Sequence, residues 1–84
     1  MTVSPHNYNS TTIGLAATLQ VAATIPNFLI TEHFVSFEPR GQEITVDPLR
    51  VEGGSLALPA RPGLGVELRE DLLARYPRRQ FPVY

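Results

Sequence analysis

The sequence has no cysteine. Disulfides and thiolate metal sites are therefore excluded, and a cysteine-free chain fits a cytoplasmic location. It has little excess charge of either sign. Seven basic and eight acidic side chains leave a net charge of −1 and a pI near 6.0. Neither a nucleic-acid footprint nor an acidic tail is present. No positive segment precedes an apolar run, so no secretory leader is read. No internal repeat and no low-complexity segment appears. A length of 84 residues leaves room for one small domain at most.

The first 31 residues contain no Asp, Glu, Lys or Arg; the earliest is Glu32. This uncharged part is still too polar for a membrane span. Thr18, Gln20, Thr24, Pro26 and Asn27 interrupt it, and a span needs about 20 mainly apolar residues. What remains is a helix and strand buried on most sides. A free-standing chain of this size has little to bury such a helix against, so the chain is expected to belong to something larger.

Thr2 to Ser4 have the β-branched character of a strand end. Pro5, His6, Asn7, Tyr8 and Asn9 follow as a loop. Ser10 is the expected N-cap, and residues 11–24 are the best helix candidate. Ile13, Ala16, Ala17, Leu19, Gln20 and Ala23 form no single clean stripe, and the alanines permit close packing. Pro26 ends the helix. Residues 28–31, FLIT, are an apolar run of the kind found in parallel strands buried on both faces. Strand, helix and strand make one βαβ unit. His6 and Glu32 then sit at the carboxyl ends of neighbouring parallel strands, the edge where α/β folds bind ligands.

Residues 33–48 are less regular, with Pro39, Gly41 and Pro48 as breakers. Residues 49–51 and 55–58 suit a hairpin about Glu52, Gly53 and Gly54. ARPGLGVEL reads as a turn with a short extended piece. Residues 69–76 suit a short helix with Leu72 and Leu73 inward, ended by Pro77. The tail RRQFPVY is basic, then aromatic.

PHNYNSTTIGLAATLQVAATIPNFLITEHF resembles the last barrel section of the mandelate racemase and muconate lactonizing enzyme group of the enolase superfamily. It is most similar to the acid-sugar dehydratases of the galactonate dehydratase type. The shared order is a strand ending in Pro-His, a small-residue helix, Asn-Phe, and an apolar strand ending in Glu. The Gly-rich hairpin, Leu-Pro, PGLGVEL and the short helix with an acidic start resemble the usual ending of these enzymes. Single pieces are weak signals. The ordered set of His6, Glu32 and Pro62-Gly63-Leu64-Gly65 is more specific.

The resemblance implies an α/β fold that is the C-terminal piece of a modified (β/α)8 TIM-like barrel. Residues 1–35 would be its last strand–helix–strand, and residues 36–84 the segment returning to the capping region. A whole barrel takes about 250 residues. Met1 would then be an internal start, since MTVSPH reads as a strand interior. The family's Mg²⁺ ligands lie on the third to fifth strands, so Mg²⁺ belongs to the full-length enzymes and its ligands to strands absent from this chain. The aspartate that pairs with the histidine is likewise on an absent strand.

The resemblance also implies a carbon–oxygen lyase that removes a proton α to the carboxylate of a sugar acid. Mg²⁺ stabilises the enediolate, and a β-hydroxyl leaves. His6 matches the general base. Glu32 matches the glutamate that hydrogen-bonds the substrate carboxylate, a role requiring a protonated carboxyl and therefore burial. The expected partner is a sugar-acid substrate, with no nucleic acid and no membrane. Family members are often homo-oligomers. The 84-residue chain by itself is expected to be inactive.

Each residue also has a plainer reading. His6 could be a solvated loop histidine and Glu32 an ordinary strand-end charge. Asn7 and Asn9 suit loop shaping and helix capping, while Tyr8 lies within reach of a pocket. His33 would face away from Glu32 and be structural. Gly63 and Gly65 suit a tight turn better than a phosphate loop, which would need a following helix and Lys. Arg78 and Arg79 are most simply a solvated face. Two other functions stay open: a racemase, epimerase or cycloisomerase of the same superfamily, and a compact non-catalytic interaction protein.

Overall fold

The computed structural model describes residues 1–6 and 10–79. Val3 pairs in parallel with Phe28. Val3 N–H donates to Asn27 O (2.8 Å), Leu29 N–H to Val3 O (2.9 Å) and Glu32 N–H to Pro5 O (3.2 Å). A parallel pair needs a crossover connection, and α1, Thr12–Ala22, supplies it. The parallel pairing with a crossover helix expected from the sequence is therefore present, as a single bridge with flanking hydrogen bonds rather than as two full strands.

The details of α1 differ from expectation. Its N-cap is Thr11, not Ser10, and no side chain caps it. The helix starts at Thr12, whose hydroxyl donates to Gly41 O at 3.0 Å. That anchor fixes the first turn one residue later than the best capping side chain. At the other end Ala23 and Thr24 close the last turn on Leu19 O and Val21 O. Thr12, Ala16 and Leu19 form a narrow buried stripe, while Ile13 and Val21 face outward.

The FLIT run does not have the burial expected of it. Phe28, Leu29 and Ile30 are 38%, 63% and 62% exposed. The described residues give this segment a parallel neighbour through Val3 in a single bridge, but they leave its apolar side chains exposed.

Residues 33–48 are more regular than expected. A 3₁₀ turn, Val35–Phe37, leads into α2, Glu38–Glu43. Pro39 lies in the first turn of α2, where its missing N–H would have had no helical partner. Gly41 does not break the helix. It is buried, and a Cβ there would lie 3.2 Å from Thr12 Oγ1. Thr45 then forms an antiparallel bridge with Leu68, extended by Val46 N–H to Glu67 O (2.9 Å) and Arg69 N–H to Ile44 O (2.7 Å).

The hairpin is β1, Val51–Glu52, against β2, Ser55–Leu56, shorter than the sequence suggests. Gly53 and Gly54 both have positive φ, as a two-residue turn between twisted strands requires. In PGLGVEL, Gly65 N–H donates to Pro62 O (3.2 Å), the tight turn expected there. The last helix, α3, is Glu70–Leu73 and buries Leu72.

The interior is small. Among the described residues its buried apolar side chains are Ala16, Leu19, Ile44 and Leu72. The radius of gyration is 14.4 Å, against about 12 Å for a compact chain of this length. The accessible surface is 6538 Å², against about 5000 Å² for a folded monomer of this mass. Among the described residues no helix is long and apolar enough to cross a membrane.

Candidate active site

The parallel ladder decides which side chains meet. The bond from Glu32 N–H to Pro5 O sets residue 32 beside residue 6, just past the end of the first strand. There His6 Nδ1 lies 2.5 Å from Glu32 Oε2. The two candidates taken from the sequence are thus in direct contact at one strand edge.

With Nδ1–H donating to the carboxylate, Nε2 becomes the ring position with the lone pair. An imidazole so oriented can accept a proton at Nε2. The side chains are open to water, His6 being 72% and Glu32 43% exposed. The burial expected for a protonated Glu32 is not supplied by this chain. Glu32 also engages His6, whereas the family pattern gives that task to an aspartate on another strand.

Beside the pair, a narrow cleft runs along the start of α1, lined by Thr11, Leu15, Glu32, His33, Phe34 and Glu38. His33 lines the same cleft as Glu32 rather than facing away from it, and it has a different partner. Its Nε2 lies 3.0 Å from Glu38 Oε2, and Gln42 Nε2 donates to Glu38 Oε1 at 3.0 Å. Sequence reasoning missed this chain of contacts. The available signal was a Glu and Gln four apart, the spacing of neighbours on a helix face, but Pro39 and Gly41 had argued against a helix. Arg78 and Arg79 are exposed, consistent with a solvated face. Asn7, Tyr8, Asn9 and the end of the tail lie outside the described residues.

A parallel pair joined by a helix, with polar side chains at its carboxyl edge, places them where α/β folds bind ligands. Residues 1–72 match the family described as Enolase C-terminal domain-like. The chain belongs to that family, within the mandelate racemase and muconate lactonizing enzyme group of the enolase superfamily.

A D-galactonate dehydratase family member from Streptomyces bingchenggensis is 37% identical over 76 residues, 89% of this chain and 18% of the relative. A D-gluconate/D-galactonate dehydratase from Picrophilus torridus is 38% identical over 60 residues, 71% of this chain and 15% of the relative. A crystal structure from Burkholderia SAR-1, assigned as a mandelate racemase/muconate lactonizing enzyme, superposes with a TM-score of 0.83 at 36% identity. It covers 92% of this chain and 19% of its own. The chain therefore spans under a fifth of the length of these relatives.

Superfamily membership implies Mg²⁺ in family members. Among the described residues no three His, Asp or Glu side chains are grouped to hold a metal. The chemistry open to this site's own residues is proton transfer and hydrogen bonding.

Proposed function

We propose that this chain is the terminal piece of an acid-sugar dehydratase. Residues 1–35 supply the last strand–helix–strand of the barrel, and residues 36–84 run toward the capping region. The observation that carries this reading is the match of residues 1–72 to the Enolase C-terminal domain-like family beside two dehydratase relatives; His6 and Glu32 stand together at the edge where that family does its chemistry. In the complete enzyme His6 Nε2 takes the proton α to the substrate carboxylate, and the C–H electrons enter the enediolate. The enediolate electrons then form the new C=C bond as the β C–O bond breaks, and the hydroxyl leaves as water with the proton that His6 took. Glu32 holds the ring while the site is empty and hydrogen-bonds the substrate carboxylate when it is filled.

Dehydration is favoured over racemisation or cycloisomerisation by the two dehydratase relatives. A compact non-catalytic protein is disfavoured by the exposed apolar side chains of residues 28–30.

Two assays test the proposal. The pure 84-residue chain with Mg²⁺ should give no turnover of any sugar acid; measurable turnover overturns the view that it acts only as part of a barrel. Next, the chain replaces the matching segment of the Streptomyces dehydratase. Exchange of the α-proton in D₂O should then fall by about 10² or more on His6→Asn, the usual cost of losing a general base. A His6→Asn chimera that exchanges at the unaltered chimera's rate overturns the role of His6.

A further inference from the structure

Glu32 and its neighbour His33 line one cleft and contact different partners, His6 and Glu38. The backbone on one side of Glu32 is fixed by its own N–H on Pro5 O, 3.2 Å away. On the other side, the next side chain is fixed by Glu38, which also accepts from Gln42 one helical turn further on. That turn belongs to α2, and α2 is tied to α1 through Thr12 and Gly41 O. The rings of Phe34 and Phe37 add an edge-to-face contact, with centroids 4.9 Å apart, across the intervening 3₁₀ turn. The strand end that presents Glu32 is therefore held from both directions.

The two His–Glu contacts differ in exposure. His33 and Glu38 are 21% and 31% exposed, against 72% and 43% for His6 and Glu32. The less exposed pair is less weakened by solvent, so it can act as the anchor and the open pair as the working contact. Displacement of the His6–Glu32 pair by about 1 Å takes it outside hydrogen-bond range.

We propose that His33 is a positioning residue for the His6–Glu32 pair, acting through Glu38 and α2. Its catalytic meaning rests on the proton-transfer reading above, but the pair itself can be observed without turnover. The test is NMR of the full 84-residue chain with ¹⁵N-labelled histidine, at one fixed pH, reading the Nδ1 and Nε2 shifts of His6. Glu32→Gln gives the reference for a broken pair.

His33→Leu should carry the His6 nitrogens at least half of the way to that reference. His33→Gln, which keeps an amide donor for Glu38, should bring them back toward the native values. A purely structural role would move α2 signals and leave His6 in place, and that result overturns the proposal. If His33→Leu loses its dispersed amide spectrum, Glu38→Gln is read instead; an unmoved His6 there also overturns the proposal. If Glu32→Gln itself leaves His6 unchanged, there is no pair to position, and the functional reading falls as well. A His6 that responds to Glu32→Gln but to neither His33→Leu nor Glu38→Gln removes the positioning role alone.

Discussion

The contact between α1 and α2 and the segment 28–30 invert the usual arrangement of a small protein. In the first, the buried groups are two threonines and a glycine. Thr12 donates to Gly41 O at 3.0 Å and accepts from Thr45 at 2.7 Å, and Thr45 Oγ1 lies 2.5 Å from the same carbonyl. In the second, three large apolar side chains face solvent. A chain built to fold by itself would bury Phe28 and Ile30 before its hydroxyls. The interior of this chain is organised for close backbone approach with every buried polar side-chain atom partnered among the described residues. Its apolar capacity is left on the outside, where it suits a neighbouring surface.

The sharpest way to break this comparison is Gly65→Ala. Gly65 has φ +79°, and a Cβ there would lie 2.3 Å from Pro59 Cβ. Pro59 is itself held by Gln20 Nε2 of α1, which donates to its carbonyl at 3.3 Å. Neither side can yield easily. The expected loss is about 3 kcal/mol, from the left-handed backbone and the overpacked contact together. Urea unfolding would show it, and a midpoint unchanged from the native chain would refute the close approach.

Thr45→Val tests the hydroxyl cluster with a smaller effect. The shape is kept and one donor is lost, while Thr12 still reaches Gly41 O. The expected cost is about 1 kcal/mol, read as a lowered thermal midpoint. Gly41→Ala should cost less than Gly65→Ala, because φ is ordinary and the new methyl would meet only Thr12 Oγ1, at 3.2 Å. That oxygen is held by two hydrogen bonds and has little freedom to move. The contact should outweigh the gain of about 0.5–1 kcal/mol from alanine in a helix, leaving a net loss of under about 1 kcal/mol. A gain in stability would show that Thr12 gives way.

Local chemistry made some parts of the fold legible. Pro26 marked the end of α1, Gly53 and Gly54 marked the hairpin, and FLIT after a crossover helix marked the parallel pair. The placing of His6 and Glu32 at one edge was legible, but their direct contact was not, because the resemblance pairs the histidine with an aspartate on an absent strand. Other features depended on tertiary partners. Ser10 is a good cap in isolation, but Thr12 is drawn to α2, so the helix begins later. Pro39 and Gly41 read as breakers because their spacing does not reveal that one occupies a first turn and the other an interhelical contact. The burial expected for FLIT follows from its composition alone, whereas burial requires neighbours that the described residues do not provide.

The smallest expected effect separates the chain from the assembly it is proposed to join. Ile30 is 62% exposed, so Ile30→Ala should change the stability of the 84-residue chain by less than about 0.5 kcal/mol, as for an ordinary surface substitution. Self-association of the pure chain should fall, because the exposed apolar strand edge is the surface that invites it; sedimentation velocity reads this directly. In the dehydratase chimera the same residue would be covered, and the same substitution should cost about 3 kcal/mol, the usual loss on emptying a buried aliphatic site. Equal effects in the two settings would mean that Ile30 meets the same surroundings in both, and that its exposure here is no sign of a missing neighbour. A large effect only in the chimera would identify the strand as an interior element displayed on the outside.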